Sequence, residues 1–176
     1  MMVTLIVSTL VLAVPPAVAA EPVEVFAADF EQPDALETWT GGAAKVADGY
    51  KNTRSLVIRN ARRGGSATVT AAVPADRIAG KLVTIAAAVR AAGVTEPPNH
   101  WNGIKVMLVL ETGTGRQYPQ VPLGTGTFDW TVVRHTLRVP REITKATLVL
   151  GLEKSAGTAW FDDVSIVTGR PVRGGR

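Results

Sequence analysis

Apolar and polar residues alternate in short runs along most of the chain, and no segment sustains a helical repeat. The alternation is plainest in Ile104-Lys-Val-Met-Leu-Val-Leu-Glu111. There Ile104, Val106, Leu108 and Leu110 share one face, while Lys105, Met107, Val109 and Glu111 share the other. The first face is core; the second is mixed enough to be half-covered or to line a shallow groove. The pattern predicts strands over 23–30, 55–60, 66–73, 82–91, 104–111, 130–139, 146–153 and 158–167. Turn chemistry separates them at Arg63-Gly64-Gly65, Gly113-Thr114-Gly115, Leu123-Gly124-Thr125-Gly126 and Ser155-Ala156-Gly157. A one-turn helix is expected over 74–78, where a proline occupies a first turn. Eight such strands predict an all-β, two-sheet antiparallel sandwich.

One strand breaks the pattern. Gly157-Thr-Ala-Trp-Phe-Asp-Asp-Val-Ser-Ile166 carries two adjacent aspartates among residues that strands favour. Asp is depleted in strands because its carboxylate competes for backbone hydrogen bonds and is costly to desolvate, so something must compensate Asp162 and Asp163.

Composition adds a destination. Residues 1–20 carry no charged side chain, and their apolar run ends in small residues at Ala17-Val18-Ala19-Ala20. That is the form of a secretory signal peptide; Pro15-Pro16 interrupt the run, and it is too short to span a bilayer. The expected organisation is a signal peptide over 1–20, one domain over 21–168 and a basic tail over 169–176, with the mature chain secreted and no membrane segment remaining. With no cysteine in the chain, core burial or a metal must stabilise such a domain. The formal net charge of +4 invites a nucleic-acid reading, but the tail holds three arginines, and without them the balance is 16 basic to 15 acidic residues. A nucleic-acid partner is therefore not expected.

Catalytic signatures are missing. The only histidines are His100, in a loop, and His135, whose parity with Val133 and Leu137 suggests a buried, hydrogen-bonded position. No HExxH, P-loop, GxSxG or EF-hand pattern occurs. Asp162 and Asp163 are strand neighbours that point to opposite faces and cannot form a glycosidase pair by themselves. Asp29 or Glu31 could partner one of them near the strands that join the termini, a place that more often stabilises than catalyses, and Glu111 and Glu153 could meet on one sheet face. The chain is not expected to be an enzyme.

Taken in order, Asp29-Phe30-Glu31, Trp39, "GYKNTRSLVI", "GKLVTIAAAVR", "FDWTVVRHTLRVP" and "GTAWFDDVSI" resemble the calcium-stabilised jelly-roll carbohydrate-binding modules of families 4, 9 and 22, which share a galactose-binding-like sandwich and accompany bacterial glycoside hydrolases. The likeness covers 23–168. It implies a structural calcium that ties the first and last strands through Glu31 and Asp162, with Asp29 as an extra ligand. The alternative for Asp162 and Asp163 is hydrogen bonding to backbone and arginine groups at a strand end.

The resemblance also implies a polysaccharide or oligosaccharide partner, bound by a monomer through aromatic faces that stack on sugar rings and polar side chains that read hydroxyls. Trp130 and Trp39 match positions that usually pack inside, and one of Trp160 and Phe161 should face inward. Trp101 lies in the polar loop Glu96-Pro-Pro-Asn-His-Trp-Asn-Gly103 and is the leading ligand contact, the other reading being a ring folded back onto a sheet. Hairpin logic places Tyr118 over the same sheet. Asn99, His100, Arg116, Gln117 and Gln120 complete the expected binding set. Aromatic residues make up only 6% of the chain and form no evident row, which argues against high-affinity cellulose or xylan binding and leaves a structural or adhesive sandwich as the competing function.

Overall fold

In a computed structural model that describes residues 21–42 and 44–169, the chain is a sandwich of two antiparallel sheets. The expected signal peptide, and the expected basic tail beyond Gly169, lie outside the described residues. The strands are β1 (Val23–Ala28), β2 (Ala44–Asp48), β3 (Arg54–Asn60), β4 (Ala67–Val73), β5 (Leu82–Val94), β6 (Gly103–Thr112), β7 (Gly115–Gln117), β8 (Gly126–Arg138), β9 (Ile143–Glu153) and β10 (Gly157–Thr168). A single helical turn, α1 (Ala75–Ile78), follows Pro74 and buries Ile78. The first sheet runs β2-β3-β10-β5-β8, with β1 also paired to β10; the second runs β4-β9-β6-β7.

Period-2 patterning puts one face of each sheet into a common core. Leu56 and Ile58 of β3, Val83, Ile85, Ala87 and Val89 of β5, and Ala159 and Phe161 of β10 meet Ile104, Val106, Leu108 and Leu110 of β6 and Leu148, Leu150 and Leu152 of β9. The small side chains of β5 leave room beneath the larger ones opposite. Trp39 is buried, packs edge-on to Phe26 with ring centroids 5.9 Å apart, and also meets Phe30.

The two aspartates mark a β-bulge. Asp162 pairs with Ala88 and Ser165 with Ala86, so β10 has an extra residue relative to β5, and Asp163 takes it up at φ 45°. Asp tolerates this left-handed conformation better than most residues. The extra residue switches the inward parity of β10 from Ala159 and Phe161 to Val164 and Ile166.

Three expectations change. Trp130 is half-buried and lies outside the core cluster, because β8 is an edge strand and its indole packs on Tyr50, centroids 5.9 Å apart. His135 has the inward parity expected beside Val133 and Leu137 but stays half-buried on that edge, and its ring makes no hydrogen bond among the described residues. Glu111 and Glu153 do not meet: Glu153 stands opposite Gly103 and Glu111 opposite Lys145, near opposite ends of the β6–β9 ladder and roughly 27 Å apart at about 3.4 Å per residue. Of the neighbouring aromatics, Phe161 faces inward and Trp160 outward.

That last contrast is measurable. Phe161→Ala should cost about 3–5 kcal/mol of unfolding free energy by opening a core cavity, whereas Trp160→Ala should cost about 1 kcal/mol, the scale of a partly exposed contact with a cation. Chemical denaturation of both variants checks it, and comparable losses would contradict the assigned facing of the two rings.

Candidate functional site

On the outer face of the second sheet, β6, the loop before it, the segment that follows β7 and the end of β9 enclose a groove of about 440 Å³ lined by Trp101, Lys105, Met107, Tyr118, Gln120 and Glu153. Trp101 and Tyr118 are 53% and 55% exposed, among the few large apolar side chains left open to solvent. Lys105 and Met107 reach the groove by the alternation that sends Ile104, Val106 and Leu108 inward. Strand β7 folds back on the end of β6, and the chain after it returns to pair Gln120 with Met107.

The groove floor is organised by Lys105, a cation only 3% exposed. Its Nζ forms an ion pair with Glu153 at 2.7 Å, donates to Gln120 Oε1 at 2.9 Å and donates to the Trp101 carbonyl. Gln120 Nε2 also donates to the Trp101 carbonyl, at 3.2 Å. Asn102 Nδ2 donates to Glu153 Oε2 at 2.8 Å, and Asn99 Nδ2 to Asn102 Oδ1 at 3.2 Å. The buried ammonium thereby fixes the backbone of the tryptophan loop to the sheet. Burial acts to raise the Glu153 pKa, but hydrogen bonds from Lys105 and Asn102 and the charges of Lys105 and Lys154 outweigh it, and the carboxyl sits below its ordinary value.

The structure therefore brings Trp101, Tyr118 and Gln120 together and places Asn99 in the network behind them. His100 lies edge-on to Trp101, centroids 4.8 Å apart, and lines an adjoining cavity with His135. Arg116 and Gln117 stand outside the groove lining, on the exposed strand β7, where Arg116 pairs with Glu111 at 3.3 Å. Lys105, Met107, Asn102 and Glu153 were not in the expected binding set. The alternation in β6 had marked the first two as facing away from the core; Asn102 and Glu153 gave no local signal, since their partnership spans 51 positions.

Asp162 and Glu31 converge on one turn. The Asp162 carboxylate, 1% exposed, accepts from Tyr50 N at 2.8 Å, Thr53 Oγ1 at 2.9 Å and Asp163 N at 2.8 Å. Gly49 is needed here because a Cβ on it would lie 2.6 Å from Asp162 Oδ2. Glu31 Oε1 accepts from Arg54 N at 2.7 Å, and the Glu31 carbonyl accepts from the Arg54 guanidinium at 3.2 Å. Asp29 Oδ1 accepts from Glu31 N at 3.2 Å. Burial pushes the Asp162 pKa up despite its three hydrogen bonds, with a small contribution from Asp163. Asp162 has no ion-pair partner, and no cluster of three His, Cys, Asp or Glu side chains with metal-binding geometry occurs, among the described residues. The donor chemistry around the turn, two carboxylates with the carbonyls of Glu31 and Tyr50, is the hard-oxygen kind that calcium takes.

Searches by sequence return nothing: no family profile and no curated protein matches the chain. Solved structures do match. The C-terminal family 22 carbohydrate-binding module of Clostridium thermocellum Xyn10B superposes with a TM-score of 0.63 at 15% identity, over 86% of this chain and 96% of that one. A xylan-binding domain of the Paenibacillus barcinonensis protein Xyn10C, of the same type, superposes at 0.62 and 16% identity, over 88% and 100% of the two chains. The chain has the fold of the family 22 carbohydrate-binding modules. A longer Clostridium thermocellum structure that joins such a module to a GH10 module matches at TM-score 0.61 and 16% identity, and there the chain covers 87% of itself but only 29% of the partner. In this jelly-roll frame the groove and the Asp162 turn lie on different sheets, so each can be altered without the other.

Their pH signatures are opposed. Glu153, lowered by folding, contributes stability above the ordinary carboxylate range that is lost as pH falls through its folded pKa; Asp162, raised by folding, costs stability as pH rises past the ordinary Asp value. Glu153→Gln should therefore flatten the loss of melting temperature between about pH 5 and pH 3, and Asp162→Asn should steepen it. Thermal melts of calcium-free protein across that range check both signs.

Proposed function

We propose that this chain is a secreted, non-catalytic carbohydrate-binding module whose sugar site is the groove between Trp101 and Tyr118. The carrying observation is the pair of solvent-open aromatic rings bordering a groove floored by Lys105, Gln120 and Glu153. Aromatic faces stack on the C–H faces of sugar rings, and the amide and carboxylate beside them suit hydroxyl recognition. The fold neighbours described as xylan-binding make soluble xylan the first probe. Secretion rests on the form of residues 1–20.

The ring of Trp101 is presented by a loop stiffened at Pro97-Pro98 and held through its carbonyl by Lys105 and Gln120, so little freedom is lost on binding. Stacking on a single sugar contributes on the order of 1 kcal/mol, and affinity falls in the micromolar to millimolar range, roughly. Trp101→Ala should abolish retention in xylan affinity gels while changing stability by less than about 1 kcal/mol. Retention that survives the substitution would remove the groove from the function.

The same reading includes a structural calcium at Glu31 and Asp162. A divalent cation would offset the unpaired buried charge of Asp162 and strengthen the link between the ends of the domain. Chelation should then lower the melting temperature, calcium should restore it, and Asp162→Ala should erase the dependence. A melting temperature indifferent to both chelator and calcium would exclude the ion.

A further inference from the structure

The outer face of the first sheet carries a second surface of different chemistry. Strand register places Lys45 opposite Val57, Val57 opposite Trp160, and Trp160 opposite Arg90. These four residues form one row across β2, β3, β10 and β5, spanning roughly 14 Å at about 4.8 Å per strand. Arg59 stands on the same face, opposite Thr158, and the row borders a groove of about 480 Å³ lined by Lys45, Val57, Arg59, Thr158 and Trp160. The Arg90 guanidinium lies over the Trp160 ring, 4.9 Å from its centroid.

The cations of this face form no ion pair among the described residues, and Asp162, the carboxylate two residues along β10 from Trp160, is covered by the Tyr50 turn. Every ion pair among the described residues lies on the other sheet, where Lys105, Arg116 and Lys145 each meet a glutamate. Lys45, Arg59 and Arg90 have no such partner. Asp129, the acid nearest Arg90 across the β5–β8 ladder, accepts from Trp130 N and forms no ion pair with Arg90. Three free cations around an aromatic floor, on a body otherwise near neutrality, are complementary to a ligand that repeats both an anion and an apolar ring face.

We propose that this row is a second glycan-binding surface, specific for acidic polysaccharides through their uronate carboxylates. A guanidinium offers two parallel N–H donors that match a carboxylate, and stacking on Trp160 holds Arg90 in place before ligand arrives. Lys45 and Arg90 stand at the two ends of the row and Arg59 flanks it on the same face, so the three cations engage successive carboxylates of one chain. Val57 and the uncovered part of Trp160 meet the ring faces between those carboxylates. This surface is independent of the Trp101 groove, which lies on the opposite sheet.

The test compares the full chain with Arg59→Gln, Arg90→Gln, the double variant and Trp101→Ala in affinity gels containing polygalacturonate or neutral xylan, with a gel shift on single-stranded DNA. All proteins keep the arginine-rich tail, so its contribution is common to every arm. The expected result is that each single variant weakens polygalacturonate retention, the double variant weakens it by roughly tenfold or more, and Trp101→Ala leaves it intact. Retention should also decline with added salt. Two outcomes overturn the proposal: polygalacturonate retention unchanged in both single variants, or DNA retained as strongly as polygalacturonate and lost in the same variants, which would make the row a general polyanion surface. Loss of xylan retention in Trp101→Ala reports only on the first groove, so the failure of either site is visible without the other.

Discussion

A single buried carboxylate reaches across most of the first sheet. Asp162 sits on β10 between β3 and β5, and its oxygens hold Tyr50 and Thr53, so that the turn joining β2 to β3 folds over the outer face of the sheet. Tyr50 then meets Trp130 on the far edge strand, and Ala88 beneath them is fully buried without belonging to the core. Because burial outweighs the hydrogen bonds and raises its pKa, the carboxylate lowers stability when charged. Its value lies in specification: the Tyr50 amide, the Thr53 hydroxyl and the Asp163 amide converge on it, and Gly49, without a Cβ, leaves space for the carboxylate.

That clasp also divides the labour of the two outer faces. On the second sheet the buried cation Lys105 is saturated by acceptors, so it shapes the groove and leaves the aromatic rings at its rim open to solvent. On the first sheet, away from the Tyr50 turn, arginine and lysine heads remain free and an aromatic ring orients one of them. The first face thus carries its charge as spare capacity, whereas the second uses its charge for internal order.

Much of this was legible in the sequence because a sandwich writes its core as alternation. All eight expected strands are present, and β6 appears with the inward and outward sets that its pattern specified. Strands β2 and β7 escaped notice for a physical reason: Ala44–Asp48 and Gly115–Gln117 are short, weakly apolar edge segments stabilised by their neighbours. The resemblance placed Trp130 inside, and alternation offered no check on it because it cannot tell a central strand from an edge one. The same limit applies to the sites. Trp101 and Tyr118 stood out as large aromatics in polar surroundings, but the network of Lys105, Gln120, Asn102 and Glu153 needs strand register, which depends on residues far apart in sequence.

Strand β1 opens the fold and strand β10 closes it, and they are antiparallel neighbours with Val23 directly opposite Thr168. The two ends of the domain therefore leave from the same corner. A force applied through both ends would load the β1–β10 ladder as a zipper, breaking its hydrogen bonds one after another rather than shearing them together. Pulled this way, the sandwich would open at low tension from its own seam, while both outer faces remain turned away from the line of pull.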